Sequence, residues 1–112
     1  DFDVAVGLWE GGRIGTFRGI RQGPAIYGGT VFGEKGVGPI GDYGGYVPLV
    51  KEIVKFFQTG ASPVTPQETL EIYAFMQAAD ESKKQGGLSV SLESVMTKAR
   101  EGAAKRLADA GL

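Results

Sequence analysis

The sequence predicts an α+β fold: a largely antiparallel open β-sheet laid down first, then three helices packed on one face of it. Three observations carry that prediction. Apolar residues alternate with period two near the start, as in Phe2, Val4, Val6 and Leu8. Glycine is concentrated in the first half, between Gly7 and Gly45, where it breaks the chain into short strand-and-turn pieces. From Tyr46 onward the apolar spacing becomes helical, with recognisable start and stop residues. Strands followed by helices, without β-α-β alternation, place the helices on one side of an antiparallel sheet.

The first strand runs from Phe2 to Trp9. Gly11-Gly12 after it is able to supply positive φ and reads as a two-residue hairpin turn. Arg13 to Arg21 then pairs back, so that Leu8 faces Gly15, Val6 faces Phe17 and Val4 faces Gly19. This register puts Phe2, Val4, Val6, Leu8 and Phe17 on one face, which helices are expected to cover. The opposite face carries Trp9, Ile14, Thr16, Arg18 and Ile20, with Asp3 placed to meet Arg18 diagonally. Such a mixed face suits a subunit interface or a ligand wall, and equally a surface covered by further parts of the same chain. Gly23-Pro24 ends the second strand. Ala25 to Phe32 reads as a third strand, Gly33-Glu34-Lys35-Gly36 as a turn, and a short extension follows near Val37. Residues 38–45 form a glycine-rich loop.

The first helix, Tyr46 to Gln58, aligns Tyr46, Val47, Val50, Ile53, Val54 and Phe57 and stops before Gly60. The second has the clearest local signal in the chain. Thr65 is a good N-cap, Pro66 suits the first helical position, and Glu68 can return a bond to the Thr65 amide. Its apolar surface includes Leu70, Ile72, Tyr73, Phe75, Met76 and Ala79, and Gly86-Gly87 ends it with Lys83 and Lys84 in the last turn. Ser91 caps the third helix, whose stripe is Leu92, Val95, Met96, Ala99, Ala103 and Leu107, and Gly111 closes it. The whole of 1–112 reads as one domain.

Composition removes several chemistries. There is no histidine and no cysteine among the 112 residues, so the commonest general base, thiolate nucleophiles, disulfides and zinc ligands are absent. A formal charge of −1 exerts no strong pull on nucleic acid or an anionic membrane, and no apolar run approaches the ~20 residues that span a bilayer. Carboxylates occur as Glu68 with Glu71, Asp80 with Glu81, and Glu34 beside Lys35, all where exposed surface is expected. No catalytic residue and no metal site emerge, and localisation stays open.

Gly36-Val37-Gly38-Pro39-Ile40-Gly41 matches G-x-G-x-x-G. In a dinucleotide fold those glycines turn a strand tightly into a helix whose amides hold pyrophosphate. Here Pro39 removes an amide, the helix starts several residues later, and no acid follows on a strand end. The run reads as a glycine-rich connection, and no cofactor-binding residue is assigned. For recognition of a polyol the residues to inspect are Arg18, Arg21, Gln22, Tyr27, Tyr43 and Tyr46, since Arg and Tyr donate hydrogen bonds while presenting flat apolar surface. Turn packing and strand-edge charge are the plainer roles for each.

Three ordered stretches carry a resemblance: YGGTVFGEKG (27–36), YVPLVKEIVKFFQTG (46–60) and SPVTPQETLEIYAFMQAADESK (62–83). Together with the strand pair from Phe2 to Ile20, this set resembles the C-terminal part of the glucose–fructose oxidoreductase / inositol dehydrogenase (Gfo/Idh/MocA) family. The resemblance implies a parent with an N-terminal Rossmann domain that binds NAD or NADP. It further implies a C-terminal domain that shapes a sugar or polyol pocket and forms a homo-oligomer through its open sheet. Glu34-Lys35 is followed by Gly36 rather than by the proline of the family's catalytic Glu-Lys-Pro motif, so no catalytic role passes to Lys35. The chain opens on a strand pattern at Asp1, which reads as a cut or processed piece. It is expected to bind no nicotinamide and to be inactive alone. The alternative is a stand-alone ligand-binding or protein-interaction module that kept the fold without the enzyme half.

Overall fold

A computed structural model describes residues 2–24 and 26–111. The order of elements is β1 (Phe2–Leu8), a short 3-10 turn (Glu10–Gly12), β2 (Ile14–Ile20), β3 (Thr30–Gly33), β4 (Gly36–Pro39), α1 (Val47–Thr59), α2 (Pro66–Lys84) and α3 (Leu92–Asp109). The class is α+β with three helices, as the sequence predicts. Its strands, however, form two separate antiparallel pairs, β1 with β2 and β3 with β4, in place of one open sheet. Two compact units result, Asp1–Pro63 and Val64–Leu112.

In the first unit, the β1–β2 hairpin differs from expectation by one residue of register. Phe2 pairs with Ile20, Val4 with Arg18, Val6 with Thr16 and Leu8 with Ile14. The cause is the loop, which is three residues long rather than two. The Trp9 N–H donates to the Arg13 carbonyl at 2.9 Å, and Gly11 and Gly12 both take φ of 78° to close the turn. Three-residue loops with glycine in the left-handed region are a common hairpin solution. Because side chains alternate strictly, a slip of one flips one strand's faces relative to the other.

The consequence is a sorted hairpin. Phe2, Val4, Val6, Leu8, Ile14, Thr16, Arg18 and Ile20 share one face, and its large apolar members are all exposed, Leu8 by 76%. Trp9 leaves the predicted company of Ile14, Thr16, Arg18 and Ile20 and lies on the opposite face. There Gly15 and Gly19 give the rings of Trp9 and Phe17 bare backbone to lie on: a Cβ at Gly15 would stand 2.9 Å from the indole, one at Gly19 3.2 Å from the Phe17 ring. The expected diagonal Asp3–Arg18 contact is replaced as well. Asp3 pairs with Arg21 on the aromatic face, while the Arg18 guanidinium sits 4.9 Å over the Phe2 ring.

The second hairpin turns at Glu34-Lys35, with Gly33 paired to Gly36. Strand β3 begins at Thr30, later than expected, and Ala25 of the predicted strand lies outside the described residues. Helix α1 ends where predicted. Gly60 adopts φ of 70°, and its N–H donates to the Phe56 carbonyl at 2.7 Å. Val50, Ile53, Val54 and Phe57 along α1 remain exposed. Helix α1 is not among the elements in substantial contact with β1 or β2, so the expected helical cover over that hairpin is not seen within the unit.

In the second unit, α2 packs on α3. The Thr65 hydroxyl accepts from the Glu68 N–H at 3.1 Å, and the Ser91 hydroxyl accepts from the Ser94 N–H at 3.1 Å, so both predicted caps form. Gly86 and Gly87 take positive φ, and the Gly87 N–H closes on the Ser82 carbonyl at 2.8 Å, satisfying an end carbonyl of α2. The core is small: Ala74, Ala78 and Val95 are buried, with Val90, Leu92 and Met96 packed around them. Ala74 and Ala78 are one helical turn apart, and their small side chains let α3 approach α2 closely. Lys98 and Glu81 bridge the two helices at 3.3 Å. Ile72 and Met76, which helical spacing places on the opposite side of α2, stay about half exposed at 55% and 49%. None of the described helices is long and apolar enough to cross a membrane.

Candidate functional site

The G-x-G-x-x-G run does not turn a strand directly into a helix. Gly36–Pro39 is strand β4 of a hairpin, and α1 starts only at Val47. What that hairpin does instead is bring two distant loops together. The Ile40 N–H donates to the Gly29 carbonyl at 3.0 Å, which continues the β3–β4 ladder one step past Thr30 and Pro39. The Ile40 side chain lies on Gly29, where a Cβ would stand 3.0 Å from its Cδ1. Glycine at position 29 therefore permits the close crossing that sets Tyr27 and Gly28 beside the loop from Gly41 to Tyr46.

At this crossing three of the expected polyol-contact residues meet. The rings of Tyr27 and Tyr43 are 5.6 Å apart between centroids at an angle of 46°, and those of Tyr43 and Tyr46 are 6.4 Å apart at 83°. With Ile40, Asp42 and Leu49 they line an open concavity of about 900 Å³. Gly41, Gly44 and Gly45 form part of its wall, and Gly45 at φ of 71° turns the chain into α1. Tyr46 is the residue that precedes α1, so the start of that helix fixes one ring of the site.

The other expected residues are elsewhere. Arg18 and Arg21 belong to the first hairpin, on opposite faces of it, and neither lines the concavity. Gln22 lies in the exposed bend beyond β2. Asp42 was not singled out by sequence; its only signal was position, an acid within a glycine loop and next to a tyrosine. It is exposed, and among the described residues no hydrogen bond or ion pair engages it. No cluster of three or more metal-ligating side chains occurs among the described residues.

The arrangement can present flat aromatic surface and one negative charge to a small molecule. Comparison with family models, with curated proteins and with solved structures returns no match.

Proposed function

We propose that the chain is the C-terminal substrate-pocket and oligomerisation part of an NAD(P)-dependent sugar or polyol oxidoreductase, inactive without a nucleotide-binding half. The supporting observation is the meeting of Tyr27, Tyr43 and Tyr46 with Asp42 around one concavity. Sugar and cyclitol rings carry apolar C–H faces and hydroxyl rims. Tyrosine rings cover the first, and phenol and carboxylate oxygens bond the second. In this reading NAD or NADP is held by the missing Rossmann half, the chain's main partner, and hydride transfer takes place there.

Titration with glucose and myo-inositol, followed through the tyrosine ring resonances, tests the pocket. Saturable shifts confined to residues 27, 43 and 46 are expected, with none on adding NADH. Shifts spread over the chain, or saturable binding of NADH, would overturn the assignment.

Oligomerisation in this reading uses the exposed hairpin face, on which Ile14, Thr16, Arg18 and Ile20 are joined by Phe2, Val4, Val6 and Leu8. The same face supports the second reading, a stand-alone interaction module. An upstream reading frame encoding a strand followed by G-x-G-x-x-G favours the enzyme; its absence favours the module.

A further inference from the structure

The tyrosine concavity carries a formal negative charge that a neutral polyol leaves uncompensated. Among the described residues, Asp42 is the sole formally charged one in its lining. The carboxylate is exposed and unengaged among the described residues, so it is available to a ligand.

The rings add a second observation. Tyr43 and Tyr46 stand at 83°, with centroids 6.4 Å apart. All three rings are largely exposed, Tyr27 by 87%, Tyr43 by 62% and Tyr46 by 73%, so they are open to a cation approaching within the ~6 Å reach of a cation–π contact. Tyr27, tilted at 46° to Tyr43 with centroids 5.6 Å apart, supplies a third ring. Clustered exposed aromatic rings with a carboxylate nearby recognise organic ammonium ions. The start of α1 at Tyr46 brings a partial positive charge of roughly +0.5, smaller than the full charge on Asp42, and Pro48 removes one of the free amides there.

We infer that this site takes a polyol bearing a protonated amine, an amino sugar or aminocyclitol, whose ammonium group is held by Asp42 beside the exposed rings of Tyr43 and Tyr46. The inference rests on the sugar-pocket reading and narrows its substrate class. The ammonium hydrogens donate to the Asp42 carboxylate, and its charge is met by the neighbouring tyrosine rings. The carbon ring lies over Tyr27 with its hydroxyls toward the open side.

Calorimetric titration of the full chain with glucose, glucosamine and N-acetylglucosamine tests this, at about pH 6, where an amine with a pKa near 8 is protonated. Glucosamine is expected to bind at least about tenfold more tightly than the other two. In Asp42→Asn that preference should fall to about twofold or less, and in Tyr43→Leu all three affinities should drop. Asp42 is exposed, so the Asn variant keeps its fold, which circular dichroism verifies. Equal binding of glucose and glucosamine overturns the ammonium inference and leaves the sugar pocket standing. A preference that survives in Asp42→Asn overturns the role of Asp42. Absence of binding by all three ligands overturns both the pocket and the inference.

Discussion

The indole of Trp9 lies across the first hairpin on Gly15, so closely that a single methyl group there would stand 2.9 Å from its Cζ3 atom. The half-buried ring covers backbone that any other residue at 15 would hide.

Gly15→Ala is therefore expected to displace the ring and to cost about 1 kcal/mol, the lower end of ordinary overpacking. Trp9 is the one tryptophan in the chain, so its emission reports the event directly and should shift to the red. Gly19→Ala is the control. Its methyl would meet Phe17 at 3.2 Å, and the tryptophan emission should not move.

The caps of α2 and α3 should contribute alike. Replacing Thr65 or Ser91 by Ala removes a hydroxyl that accepts from a free first-turn amide at 3.1 Å in each case. Each substitution is expected to cost about 1 kcal/mol in urea denaturation followed by far-UV circular dichroism, and Gly at either position less.

Packing, and not charge, should hold α2 to α3. Val95 is one of three buried side chains there, and Val95→Ala is expected to cost about 1–3 kcal/mol, a large share of so small a core. The Lys98–Glu81 bridge is nearby, but the lysine is 67% exposed. A double-mutant cycle on that pair should give less than about 1 kcal/mol, and less still in high salt.

The bare face of the first hairpin makes its own prediction. Phe2, Val4, Val6, Leu8, Ile14 and Ile20 are each roughly half exposed or more. Their full burial on both copies of a pair would contribute on the order of 11–22 kcal/mol, against association costs of about 4–15 kcal/mol. Self-association through this face is therefore expected, visible by sedimentation, and abolished by Val6→Lys. Strong association that survives Val6→Lys would place the oligomer contact elsewhere.

Much of this was legible in the residues. Thr65-Pro66, Ser91, Gly60 and Gly86-Gly87 mark helix ends through local chemistry, and the caps and stops form where those residues stand. The turn at Glu34-Lys35 is legible for the same reason. The register of the first hairpin was not, because Glu10-Gly11-Gly12 serves a two-residue and a three-residue loop equally well, and one residue decides which faces join. The grouping of Phe2 with Ile20 rather than with Phe17 turns on that single choice. The tyrosines were visible one by one, but their meeting depends on the Gly29–Ile40 crossing, a contact that no spacing announces. Asp42 gained its interest only from what surrounds it.

Tyr46 belongs to two structures at once. Its ring walls the concavity, while its carbonyl accepts the first helical bond of α1 from the Val50 N–H at 2.9 Å. A molecule that immobilises the ring also steadies that carbonyl. The exchange of one amide hydrogen with solvent, at Val50, thereby becomes a clock for occupancy: slower when the site is filled, and unchanged by any ligand bound elsewhere on the chain.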